Sequence, residues 1–164
     1  SLMGIKEAEW VVASAIDNPE IFRKLMEYSF SDDKKLAFRA SWTVSKVCDK
    51  APELIAPHLV MLVESLKKID NESVLRSFLR ILSMTDMHRF GTKHHGMLAD
   101  YCFSALRSGF TAIAIKAYAM EVLYRLALIY PELANELSAT INMIQGEGSA
   151  GIVARGRQIL KKLS

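Results

Sequence analysis

Two stretches decide the fold: LAFRASWTVSKVCDKAPEL at Leu36–Leu54 and IKAYAMEVLYRLALIYPEL at Ile115–Leu133. Leu36, Ala40, Val44, Val47, Pro52, Glu53 and Leu54 in the first stand opposite Ile115, Ala119, Leu123, Leu126, Pro131, Glu132 and Leu133 in the second, every pair 79 positions apart. The first four positions of each set lie on one side of a 3.6-residue helix. The Pro-Glu that follows reads as the start of another helix, because proline fixes a helical φ and lacks an N–H that the first turn could not have used. The negative charge of the glutamate then faces the positive end of the helix dipole. The same signal occurs a third time in NPEI at Asn18–Ile21.

Apolar residues recur at three and four positions after each proline: Ile21, Phe22, Leu25 and Met26 from Pro19, Leu54, Ile55, Leu59, Leu62, Val63 and Leu66 from Pro52, and Leu133, Leu137, Ile141 and Ile144 from Pro131. Pro57 either kinks the second of these helices or marks its true beginning. Further helices carry their own caps: Ser31, Asp32 or Asp33 before Leu36–Val47, Asp70 or Asn71 before Val74–Leu82, and Ser149 before Ile152–Leu163. Others are expected over Ile5–Ile16, over Met97–Leu106 with a glycine stop at Ser108-Gly109, and from Thr111 to Ile129. No turn dipeptide flanked by alternating apolar residues predicts a hairpin, so the fold class is all-α.

An offset of 79 positions corresponds to two repeats of about 40 residues. The last helix continues the series, with Ile152, Gly156, Leu160 and Leu163 at the positions of Leu36, Ala40, Val44 and Val47. A middle copy at Leu75 and Leu79 is less faithful, since Ser83 falls where an aliphatic is due, and it fits if that helix is rotated. The column Ala40, Ala119, Gly156 places a small residue at mid-helix, where a neighbouring backbone can come close.

A helix pair of about 40 residues, with a proline-initiated first helix and this aliphatic-small-aliphatic core in the second, resembles the HEAT/armadillo-like α-solenoid superfamily. The resemblance covers Pro19–Leu163. It implies a right-handed α-solenoid of about four antiparallel helix pairs, with Ile5–Ile16 as an N-terminal cap, and residues 3–164 as a single domain. The chain departs from the family pattern in its weak second repeat, in lacking a proline before Met97, and in lacking the Asp/Arg ladder that some such repeats carry. Ser1 and Leu2, ahead of Met3, read as an addition before the native start.

The totals agree with such a domain. At 164 residues, folding removes roughly 70% of the extended chain's surface from water. Cys48 and Cys102 sit singly in apolar runs, with neither a disulfide framework nor a zinc spacing, which fits a reducing cytoplasm. The net charge of +3 permits anionic partners without demanding them. The apolar run Phe110–Tyr130 carries Lys116, Glu121 and Arg125 at helical spacing, and so reads as an amphipathic helix rather than a membrane span.

Candidate functional residues are cations in register on the second helices: Lys46, Arg125 and Lys162 in one register, Arg39 and Arg155 in another, Arg80 and Arg157 in a third. Such a stripe suits a phosphate backbone through counterion release, or else consists of long stems covering apolar helix surface while their heads stay wet. The resemblance also reaches DNA glycosylases for alkylated bases, for which Trp42, Glu121, Tyr118 and Tyr124 are the nearest match, although Trp42 reads more readily as a core or inter-repeat packing residue.

The segment MTDMHRFGTKHHG at Met84–Gly96 interrupts the repeat and gathers Asp86, His88, His94 and His95. Adjacent histidines diverge on a helix, so the segment reads as a polar inter-repeat loop with a helix starting near Thr92 or Lys93 rather than as a metal site. His58 reads as a partly buried hydrogen-bonding residue, and Gly146-Glu147-Gly148 as the loop between the last two helices. No nucleophile, nucleotide or metalloprotease motif is present, so no catalytic residue, metal or cofactor is expected. The reading is a non-catalytic protein-interaction or scaffolding module. Its alternative is nucleic-acid binding by the basic stripe. Arg155, Arg157, Lys161 and Lys162 read as a polar cap at the C-terminal end, whereas Trp10, Val11 and Val12 leave the first helix less masked, for a monomer or a weak dimer through that helix.

Overall fold

The computed structural model describes residues 2–146 and 148–164; Ser1 and Glu147, the latter within the expected loop at 146–148, lie outside the described residues. Among the described residues there are nine α-helices and no strand. The chain forms two compact units, one through Ile81 and the other from Leu82.

In the first unit α1 (Leu2–Asp17), α2 (Pro19–Tyr28) and α3 (Lys34–Lys50) pack on one another. Asn18 separates α1 from α2: its side chain accepts from the Glu20 N–H, and Pro19 takes the first helical position. Of the three expected caps ahead of α3, Asp33 is the one used, its Oδ1 accepting from Lys35 N at 3.1 Å and Leu36 N at 3.2 Å. Phe22, Met26, Ala40, Val44 and Val47 form a core, closed by Ile55, Leu59, Leu62 and Leu66 from the following segment. Leu36, at the head of the repeated pattern, is 38% exposed, since it lies in the first turn of α3.

The helix expected from Pro52 is broken. Residues Pro52–His58 wind as a 3-10 helix, α4 runs only from Leu59 to Ser65, and a further 3-10 turn covers Leu66–Lys68. Pro57 explains this, since its ring forbids an α-helical hydrogen bond at that position, and regular helix resumes two residues later. The following helix, α5 (Glu72–Ser83), is preceded by Asn71, whose side chain accepts from Ser73 N at 3.1 Å and donates across to the Lys34 carbonyl at 3.2 Å. Val74, Phe78, Leu79, Ile81, Leu82 and Ser83 are buried, so Leu79 and Ser83 are enclosed where the repeat places them, while Leu75 is only half-buried.

In the second unit, a 3-10 turn at Met87–Arg89 precedes α6 (Thr92–Arg107), α7 (Ile113–Ile129), α8 (Leu133–Gln145) and α9 (Ala150–Leu163). Helix α7 packs against α6, α8 and α9, and Ala119, Met120, Val122, Leu123 and Leu126 are completely enclosed. The helix with a core expected over Met97–Leu106 begins at Thr92, one of the two starts expected for it. It ends without a left-handed glycine: Ser108 is extended, its Oγ accepts from Phe110 N at 3.2 Å, and no described glycine has positive φ. Helix α7 begins at Ile113 rather than Thr111. Ser149 caps α9 as expected. A Cβ added at Gly156 would lie 2.8 Å from Gln145 Nε2 and 3.0 Å from Ile141 Cγ2, so α8 and α9 approach too closely there for a larger residue to enter without displacement. Among the described residues no helix is long and apolar enough to cross a membrane.

Candidate functional site

The exposed side of α3 is the most distinctive surface of the first unit. On a helix turning about 100° per residue, Lys35, Arg39, Trp42 and Lys46 fall within an arc of about 60°. Phe38 lies beside them, one turn before Trp42. Both aromatic rings are 41% exposed, and Trp10 on α1 is 69% exposed. Between α1 and α3 lies an open groove of about 380 Å³, lined by Glu7, Ala8, Val11, Phe38, Arg39, Trp42 and Thr43. Trp42 is therefore not a core residue. Its ring instead carries the Lys46 ammonium, 5.5 Å from the centroid, an arrangement that holds a cation beside an apolar surface.

The structure divides the other predicted cations between joints and open surface. Arg80 on α5 binds Asp49 on α3 with two hydrogen bonds, at 3.0 and 3.1 Å, and donates to Ser45 Oγ at 2.8 Å. Arg125 on α7 donates to the Thr85 carbonyl at 3.3 Å and to Glu121 Oε1 at 3.3 Å. The Lys162 ammonium on α9 sits 5.0 Å from the centre of the Tyr124 ring on α7. Arg155 is half-buried, and Arg157, like Arg39, is exposed. The cations in register thus include three that reach toward the preceding second helix or the chain leaving it.

The residues nearest to a glycosylase pattern have separate surroundings: Glu121 faces Arg125 on its own helix, Tyr124 faces Lys162, and Trp42 lines the α1–α3 groove. The segment at 84–96 contains a buried polar node that hydrophobic patterning could not find. His95 is enclosed, with Nε2 2.7 Å from the Met87 carbonyl and Nδ1 2.8 Å from Tyr130 Oη, against the rings of Phe90 and Tyr130. Asp86 caps the 3-10 turn, and hydrogen bonds from the His88 backbone and ring hold its carboxyl below the ordinary range. Among the described residues no three His, Cys, Asp or Glu side chains are grouped to hold a metal.

Cys48 and Cys102 are buried free thiols, and desolvation pushes both up to about 12, far from the thiolate that a nucleophile requires. His58 packs edge-on to Phe22, ring centres 5.6 Å apart, and burial lowers its pKa.

The family model for the HEAT repeat domain matches residues 2–163. No curated protein and no solved structure gives a significant match. A match over nearly the whole chain, on an all-helical array whose small mid-helix residues are buried, has one meaning: the chain belongs to the HEAT repeat domain family.

Proposed function

We propose that this HEAT domain, residues 3–164 acting as one functional unit, is a non-catalytic protein-interaction or scaffolding module. HEAT repeats in general mediate protein interactions, which supports the reading at the level of the family. The observation that carries it in this chain is the aromatic and cationic side of α3, where two large rings stay in solvent beside a groove. Aromatic and arginine side chains in such a setting are the usual anchors of protein interfaces. The buried, protonated thiols fit a reducing, cytoplasmic setting.

The test is affinity capture from the native lysate with and without nuclease, against a variant carrying Phe38→Ser and Trp42→Ser. Protein partners retained after nuclease and lost with the variant support the module. Capture that disappears with nuclease overturns it.

A second reading, nucleic-acid binding, is favoured by charge distribution. Residues 82–164 hold nine Lys/Arg against six Asp/Glu, and α9 contributes Arg155, Arg157, Lys161 and Lys162 with no acidic residue. Fluorescein-labelled duplex and single-stranded DNA and RNA at about 50 mM salt test it, with affinity falling steeply as salt rises. No binding at that salt eliminates it.

A further inference from the structure

The groove between α1 and α3 has chemistry specific enough to suggest its occupant. Both walls carry apolar residues, Ala8 and Val11 from α1 facing Phe38 and Trp42 from α3, with polar ones beside them, Glu7 on α1 and Arg39 and Thr43 on α3. At about 380 Å³ it is at the small end of ligand-sized cavities, with room for one or two large side chains. Along its α3 edge the charge is of one sign: Lys35, Arg39, Lys46 and Lys50 share that side of the helix, and the carboxylate of Asp49 is taken up by Arg80.

This positive edge is local. Residues 1–81 hold twelve Lys/Arg and twelve Asp/Glu, so the unit as a whole has no excess charge to attract a long polyanion. A few discrete carboxylates can match an edge of four cations, whereas a phosphate chain draws its affinity from many contacts along its length. The groove's apolar walls favour a hydrocarbon side chain over the polar edge of a base, which would lose its hydrogen bonds there.

We propose that the α1–α3 groove receives an acidic linear peptide segment, which inserts one aromatic or leucine side chain between Val11 and Trp42 and sets its carboxylates against Arg39 and Lys46. This deepens the interaction-module reading and rests on it. Such docking combines an apolar anchor for affinity with flanking charge for register.

The test is selection of phage-displayed random 12-residue peptides on the full chain, followed by fluorescein anisotropy with the enriched peptides on wild type, R39E, K46E and W42A. The expected consensus places Asp or Glu around a single Phe, Trp or Leu. Binding should fall at least tenfold in each charge reversal and in W42A. In a Trp10→Phe background, which leaves Trp42 as the sole indole, peptide addition should shift the Trp42 emission.

Melting curves identify any W42A failure that is merely structural, and R39E, at an exposed position, tests the groove independently. No enrichment, a neutral or basic consensus, or unchanged binding to R39E overturns the proposal. So does fluorescein-dT20 binding more tightly than any peptide and losing affinity in R39E, which assigns the face to single-stranded nucleic acid. If R39E/K46E still captures the same proteins from lysate as wild type, the interaction module stands and the groove assignment alone fails.

Discussion

Arg80 holds Asp49 with both arms of its guanidinium, Nη1 to Oδ1 at 3.0 Å and Nη2 to Oδ2 at 3.1 Å, and so ties α5 to α3. Each side chain is about 30% exposed, which leaves the pair only partly screened by water. The Lys162–Tyr124 contact likewise links α9 to α7. Repeats that touch only their neighbours need such joints, since each interface contributes separately to the stability of the array.

Arg80→Ala should lower stability by about 1–2 kcal/mol, because a planar fork with three bonds is lost and Asp49 is left without its partner. A double-mutant cycle with Asp49→Asn, read from urea midpoints, should give a coupling of about 1 kcal/mol that shrinks in molar salt. A coupling near zero would show that the pair is only a surface contact.

Gly96 and Gly156, each within a helix, should respond differently to an added side chain. Nothing lies within 4 Å of a Cβ at Gly96, so Gly96→Ala should gain about 1 kcal/mol from helix propensity. At Gly156 the added methyl meets Gln145 and the enclosed Ile141, which offsets that gain, and Gly156→Leu should cost about 2–3 kcal/mol. Equal thermal shifts for the two alanine variants would refute close α8–α9 packing.

Helices with strong periodicity were legible in the sequence, and so was the small-residue column: Ala40, Ala119 and Gly156 are all buried at mid-helix. The break after Pro52 was half-legible, because Pro57 signals an interruption but not that a 3-10 winding replaces the helix. His95 was hidden by its own polarity. A buried histidine sustained by Met87 and Tyr130 looks, in one dimension, like part of a hydrophilic loop. The groove was missed for the converse reason: tryptophan is ordinarily a core residue, and only the packing of α1 beside α3 reveals that Trp42 remains outside. Cations in register were visible, but register does not distinguish Arg80, spent on a joint, from Arg39, left on the surface.

Cys48 and Cys102 should be unreactive in the folded protein. With both thiols pushed up to about 12 by burial, a disulfide reagent at pH 8 finds almost no thiolate and no access. Labelling should proceed only as fast as the structure opens, and become rapid and stoichiometric in denaturant. Fast labelling of either thiol in buffer would contradict its burial.

Acid should weaken the fold through His58. Its folded pKa lies below the unfolded value because burial disfavours the imidazolium, so the unfolded chain takes up the proton first as pH falls. The contribution is complete above the ordinary histidine value of about 6.5 and declines as pH drops through the folded one. His58→Gln should flatten this part of the melting-temperature profile between pH 7 and 5. A profile unchanged by the substitution would remove His58 from the acid response.

The tautomer of His95 follows from its partners. Met87 offers only a carbonyl oxygen, so Nε2 must carry a proton, and in the neutral ring Nδ1 then accepts from the Tyr130 hydroxyl. Nitrogen-15 spectra of the neutral ring should therefore show the Nε2–H form. Tyr130→Phe leaves a buried acceptor without its donor and should cost about 1–3 kcal/mol, far more than loss of an exposed hydroxyl. His95→Phe should cost a similar amount, since the Met87 carbonyl and the Tyr130 hydroxyl lose their partner together. The double variant should cost clearly less than the sum, because both substitutions remove one hydrogen bond. Additive costs, or an Nδ1–H signal, would mean that the node is assembled differently and that α6 is anchored by apolar packing alone.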